Sequence, residues 1–107
     1  MDRSQYLKLV EDAYRKIADA FEDVDGDDAD LEPKGDVLTI RYRDGSRVVV
    51  NTQGPVFQIW LAGAGRGWHF SWDEATDRWL DDKGTGEDLL AVVRRITKDT
   101  AGIDLAL

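Results

Sequence analysis

From Tyr6 to Val24 the apolar residues recur every three or four positions: Tyr6, Leu9, Val10, Ala13, Tyr14, Ile17, Ala20, Phe21 and Val24. That spacing lays a single apolar stripe along a helix. The pattern predicts a helix over residues 4–24, with Ser4 at its N-cap and Gly26 as its stop. Glu11, Asp12, Asp19, Glu22 and Asp23 fall on the solvated side. The period then drops to two. In VLTIRYR, Leu38, Ile40 and Tyr42 face one way, and Thr39, Arg41 and Arg43 face the other. Asp44–Gly45 reads as a hairpin turn. The return strand SRVVVNTQ puts Val48 and Val50 on the core face and leaves Arg47, Val49, Asn51 and Gln53 outside. Gly54–Pro55 breaks the run. VFQIWLA alternates Phe57, Ile59 and Leu61 inward against Gln58 and Trp60 outward. Gly63, Gly65 and Gly67 read as a flexible hairpin connection. WHFSW then sets Trp68, Phe70 and Trp72 against His69 and Ser71, and a short strand follows around Trp79.

A second apolar stripe, Leu89, Leu90, Val92, Val93 and Ile96, predicts a closing helix. Its signals are Thr85 and Asp88 as a capping box and Gly102 as the stop. The order is helix, four to six antiparallel strands, helix. Both stripes must cover one face of the sheet, leaving the other to water. The expected fold class is therefore α+β, a two-layer sandwich in one domain spanning residues 1–107. Arg41, Asn51, Gln53, Gln58, Trp60 and His69 are expected on the open face.

Composition narrows the chemistry. The 107 residues are 42% hydrophobic, enough for one core. No cysteine is present, which excludes disulfides, thiolate metal sites and cysteine nucleophiles. A single histidine leaves no imidazole pair for zinc, and no Ser–His–acid arrangement surrounds it. The glycines at 63–67 lack the spacing of a phosphate loop. No apolar run is long enough to span a membrane, and the acidic, amphipathic N-terminus resembles neither a secretory signal nor a transit peptide. A soluble cytoplasmic protein is expected. The net charge of −8 argues against nucleic acid as a partner.

That charge is not spread evenly. Asp19, Glu22, Asp23, Asp25, Asp27, Asp28, Asp30 and Glu32 lie within fourteen residues that hold no Lys or Arg. Without those eight, the chain's 22 acids fall to 14, equal to its 14 Lys and Arg. Neighbouring carboxylates repel by about 1 kcal/mol per pair even in water. Those at the helix C-terminus also oppose its dipole. A cation or a basic partner would relieve this cost. An EF-hand aligned on Gly26 puts Phe21, which has no oxygen ligand, at its first position. The remaining arrangement is an open carboxylate surface. It suits hard cations such as Fe2+, Fe3+, Mn2+, Ca2+ and Mg2+, bound weakly and with little selectivity.

The stretch GDVLTIRYRDGSRVVVNTQGPVFQIWLA followed by GWHF resembles the sheet of the frataxin family, most of all its bacterial branch. The most specific element is Asn51-x-Gln53-x-Pro55-x-x-Gln58-x-Trp60-Leu61-Ala62, and the likeness runs from Ser4 to about Leu105. It implies a non-enzymatic protein of iron–sulfur cluster assembly that binds Fe2+ or Fe3+ weakly and serves as iron donor or regulator. The implied partners are the cysteine desulfurase and the iron–sulfur scaffold protein, with the chain monomeric unless iron is in excess. Carried over residue by residue, the metal-binding ridge is Asp19, Glu22, Asp23, Asp25, Asp27, Asp28 and Asp30. The partner-binding patch is Asn51, Gln53, Gln58 and Trp60. Ala18 departs from the pattern, since family ridges often hold an acid there. The competing expectations are a ferroxidase or iron-storage protein, and an acidic module that binds protein without metal.

Overall fold

A computed structural model describes all residues from 1 to 107. Helix α1 spans Arg3–Phe21. Its N-cap is Asp2 rather than Ser4. Asp2 Oδ1 accepts the Gln5 amide at 2.8 Å, and Gln5 Oε1 accepts the Asp2 amide at 3.2 Å. This is a reciprocal capping box with Gln at the third helical position. The helix ends at Phe21, short of the expected Val24. Asp25 takes over there: its carbonyl accepts the amides of Asp28 and Ala29, and its side chain accepts the amide of Asp27 at 2.9 Å. Short acidic side chains favour such turns over helix because they bond nearby backbone directly.

Six strands follow: β1 Ala29–Lys34, β2 Val37–Tyr42, β3 Arg47–Gln53, β4 Gln58–Gly63, β5 Arg66–Asp73 and β6 Arg78–Asp81. They form one antiparallel sheet in chain order. Helix α2, Leu89–Ala101, closes the chain. Leu38, Val50, Leu61 and Trp68 make one row across the inner face. With Ile40, Val48, Ile59, Phe70 and Trp79 they pack beneath the buried stripes of both helices, in a single core of 21 residues. Burying each large aliphatic or aromatic side chain stabilises by roughly 1.5–3 kcal/mol. Two helices and one sheet face are what this chain needs to collect enough of them. The two-layer α+β sandwich is as the periodicity predicts.

Strand β1 is absent from the periodic reading. ADLEPK carries Pro33 and alternating acids, which look like loop. It is an edge strand, where proline and charge are tolerated because one side pairs with nothing. Only Ala29 is buried along it. Asp30 and Glu32 thereby belong to the sheet, Asp30 in register with Arg41. Three further expectations shift. The cap of α2 is Asp88, whose Oδ1 accepts the Ala91 amide at 2.9 Å. Thr85 instead donates to buried Asp81. Phe57 does not extend β4; it ends a 3-10 turn, Gly54–Val56, with φ of 53°, and is only partly buried against the core. The glycine stretch is a hairpin connection as expected, but a shorter one than its three glycines suggest. The turn is confined to Ala64 and Gly65, both at positive φ. Gly63 already belongs to β4, and a Cβ there would lie 2.7 Å from Val48 Cγ2.

One polar hub ties the closing helix to the sheet. Glu87 accepts from buried Trp68 Nε1 at 2.9 Å, pairs with Arg95 at 2.9 Å and has Arg66 at 3.7 Å. The Trp68 hydrogen bond, followed by the two guanidiniums, holds the Glu87 carboxyl below its ordinary range, against the opposing effect of desolvation. With the folded value depressed, its contribution is full above the unfolded pKa of about 4.3. It fades as pH falls through the folded value. Glu87→Gln is expected to cost about 1 kcal/mol at pH 7, or roughly 4–8 °C in melting temperature. Calorimetry should show the gap closing below about pH 4; a gap constant with pH would contradict this assignment.

Candidate functional site

Two surfaces carry the predicted residues. The first surrounds the C-terminal end of α1. Asp19, Asp23, Asp25 and Asp28 line an open groove there together with Asp104. A neighbouring crevice, between the end of α1 and β1, is lined by Asp19, Glu22 and Asp30. Asp19 is common to both. The chain folds this way because α1 stops at Phe21 and the Asp25 turn doubles back to start β1. Asp23 lies just past the helix, but Glu22 keeps helical angles (φ −58°, ψ −39°), so Asp23 still follows Asp19 at near-helical spacing. Asp27 lines neither depression; it stands exposed, with its amide tied to Asp25.

Compensation is sparse. Arg43 pairs with Asp28 at 2.5 Å, and Arg41 pairs with Glu32 at 3.2 Å. No cation lies within 4 Å of Asp19, Glu22, Asp23, Asp25, Asp27 or Asp30. α1 has no basic residue in its last turn to offset them. No three Asp, Glu or His side chains converge closely enough to form a ready-made metal cage. The surface is thus strongly negative and open, and chelation by three or more carboxylates requires side chains to rotate inward.

Asp104 escaped the sequence reading. It follows Gly102, whose left-handed φ of 71° ends α2 and turns the last residues back across the helices. Leu105 is buried, and Asp104 pairs with Lys98 at 3.1 Å. The only signal in the sequence was an apolar tail, Ile103-x-Leu105-x-Leu107, after a helix stop.

The second surface is the open sheet face. Asn51, Trp60 and His69 sit side by side on β3, β4 and β5. Gln53, Gln58 and Ser71 form the adjacent row. All four predicted patch residues thus come together on one face, half-buried. Trp60 stacks on His69, centroids 4.0 Å apart and planes 12° from parallel. Its Nε1 donates to Gln58 Oε1 at 2.9 Å. Gln58 Nε2 donates in turn to Ser71 Oγ and to Asp82 Oδ2. Asp82 lies just past the end of β6 and was not foreseen. The patch is held in place by its own hydrogen bonds, which suits a contact surface.

The sequence profile of the frataxin-like domain matches residues 1–103. An iron-sulfur cluster assembly protein, CyaY, of Pseudomonas aeruginosa is 38% identical over 105 residues, covering 98% of this chain and 95% of its own. The protein of that name from Azotobacter vinelandii is 35% identical over 98% of this chain and 94% of its own. Among solved structures, the frataxin of Psychromonas ingrahamii superposes with a TM-score of 0.87 at 26% identity, over 98% of this chain and 96% of that one. Trimeric frataxin from Saccharomyces cerevisiae, in a ferrous complex, shares the fold at a TM-score of 0.64 and 21% identity, over 96% and 88%.

Because Trp60 lies on the solvent face, Trp60→Ala should leave the core intact. Its expected cost is about 1 kcal/mol or less, against the 3–5 kcal/mol typical of emptying a core site. Urea unfolding of Trp60→Ala beside Trp68→Ala checks this; equal losses would mean that Trp60 supports the core.

Proposed function

Because this chain belongs to the frataxin-like family, we propose that it is an iron-binding protein of iron–sulfur cluster assembly. It takes up Fe2+ or Fe3+ weakly at the carboxylates around the end of α1. It acts on the cysteine desulfurase–scaffold complex as iron donor or regulator. It works as a non-catalytic monomer in the cytoplasm, with the sheet patch Asn51, Gln53, Gln58 and Trp60 docking a partner protein. Iron here is cargo, and Mn2+ or Ca2+ should compete for it.

The observation that carries this reading is the group of acids lacking counter-ions at one edge of a sheet whose open face holds a hydrogen-bonded tryptophan. The names of the relatives support the pathway. Hard cations prefer carboxylate oxygen, and an open surface without a cage gives loose, multiple binding. A ferroxidase would normally set carboxylates and histidines facing inward from paired helices; here the acids face water and the one His lies on the sheet. A metal-independent docking role for the same acids is the second reading, favoured by the lack of three converged ligands.

The test is anaerobic titration with Fe2+, read by paramagnetic broadening of amide signals, on the chain and on a variant carrying Glu22→Gln, Asp23→Asn and Asp25→Asn. Broadening should centre on residues 19–30 and 104 and weaken at least severalfold in the variant, as should desulfurase binding. Iron affinity and desulfurase binding both unchanged would overturn the proposal; desulfurase binding that persists under full chelation would favour the metal-independent reading. Arg43→Gln, by freeing Asp28, should tighten metal binding at the groove by up to about fivefold. That corresponds to the roughly 1 kcal/mol an exposed ion pair is worth at most. Arg47→Gln, which removes the same charge from an arginine with no carboxylate within 4 Å, is the control and should do less.

A further inference from the structure

The chain has one histidine, and its surroundings are more elaborate than an ordinary strand position requires. His69 stacks on Trp60, and its Nδ1 lies 3.7 Å from Asp82 Oδ2. That is beyond hydrogen-bond range but within a small side-chain movement of it. The His69 carbonyl also accepts the Asp82 amide at 2.8 Å, so the two residues are tied through backbone. Asp82 Oδ2 is already engaged, accepting from Gln58 Nε2 at 3.2 Å. Gln58 in turn holds the Trp60 indole. Imidazole, amide, carboxylate and indole thus form a closed ring of contacts on the face assigned to docking.

We propose that this ring is a proton-responsive element: proton uptake at His69 changes the charge and the hydrogen bonding of the docking face. The idea rests on the reading of that face as a docking surface. Imidazole is the side chain whose charge ordinarily changes between about pH 5 and 8. Asp82 is the charged group within ion-pair reach of it; Trp60 and Gln58 on β4 and Ser71 on β5 are neutral neighbours. When His69 is neutral, the stack is aromatic on aromatic, and Asp82 is held by Gln58. When His69 is protonated, its Nδ1–H becomes a charge-assisted donor that competes with the Gln58 amide for the same oxygen. The stack also gains cation–π character. Gln58 keeps Ser71 and the Trp60 indole, but its amide loses its anionic acceptor. The patch formed by Asn51, Gln53, Gln58, Trp60, His69 and Asp82 then passes from one net negative charge to none. A cationic partner element is held less well on the acid side.

The test uses the whole chain alone, with two-dimensional NMR from pH 5 to 8 following the His69 imidazole, the Trp60 indole N–H and the Gln58 side-chain amide. The indole and the amide should shift with the same midpoint as the imidazole. His69→Gln, a solvent-face change, should abolish both steps. Asp82→Asn should cut the Gln58 step at least by half while the imidazole still titrates. Indole and amide signals that stay flat while the imidazole titrates, or that shift identically in His69→Gln, would overturn the inference and leave the docking assignment standing. A partner footprint mapped away from Trp60 would remove the docking role and leave the proton response standing.

Discussion

Carboxylates without counter-ions must stay in water, and that constraint organises this molecule. A sheet with one dry face and two covering helices has few places to put six such groups. They collect where α1 stops and β1 begins, at the sheet edge. The core tolerates this because its own rows contain none of them: Leu38, Val50, Leu61 and Trp68 line up across the inner face with no acid among them. Self-repulsion at the edge opposes folding, and the burial of 21 core residues absorbs it.

The two surfaces differ in how they are prepared. The acidic edge is loosely built, with exposed side chains, one exposed ion pair at Asp28 and no converged cage. The sheet patch is ordered in advance, with Trp60 fixed by a stack and a hydrogen bond. A weak, exchangeable ion needs the first kind of surface; a specific protein contact benefits from the second, because less side-chain entropy is lost on binding. Strand β1 belongs to the acidic edge: its inner residue Ala29 lies on the core, while on the open face Asp30 stands opposite Arg41 and Glu32 opposite Thr39, with Glu32 reaching Arg41 diagonally.

Much of the fold was legible from periodicity. Parity alone placed Leu38, Ile40, Val48, Val50, Ile59 and Leu61 inward and Asn51, Gln58 and Trp60 outward, since period-two alternation admits one register. It failed where local chemistry outweighs pattern. β1 hides because an edge strand has half the pairing and little burial to write into its sequence. Both helices start at a side chain two or three residues from the expected cap, because it caps better: Asp2 in place of Ser4, Asp88 in place of Thr85. The candidate acids were visible as a run, yet their partition was not. Asp27 stands apart, Asp28 is paired with Arg43, and Asp104 and Asp82 arrive from segments distant in sequence through tertiary packing that no spacing rule encodes. Membership of the frataxin-like family was carried by the Asn51–Ala62 motif, which is where sequence and sheet geometry coincide.

The central claim is that the acids around the end of α1 are held against their own repulsion. Thermal unfolding of a variant carrying Asp19→Asn, Glu22→Gln, Asp23→Asn and Asp25→Asn, with no metal present, tests it most directly. At low ionic strength the variant should melt several degrees above the parent chain, and the difference should shrink in about 1 M salt, where the Debye length falls to about 3 Å. A variant that melts at the same temperature or lower, with no dependence on salt, would contradict the account.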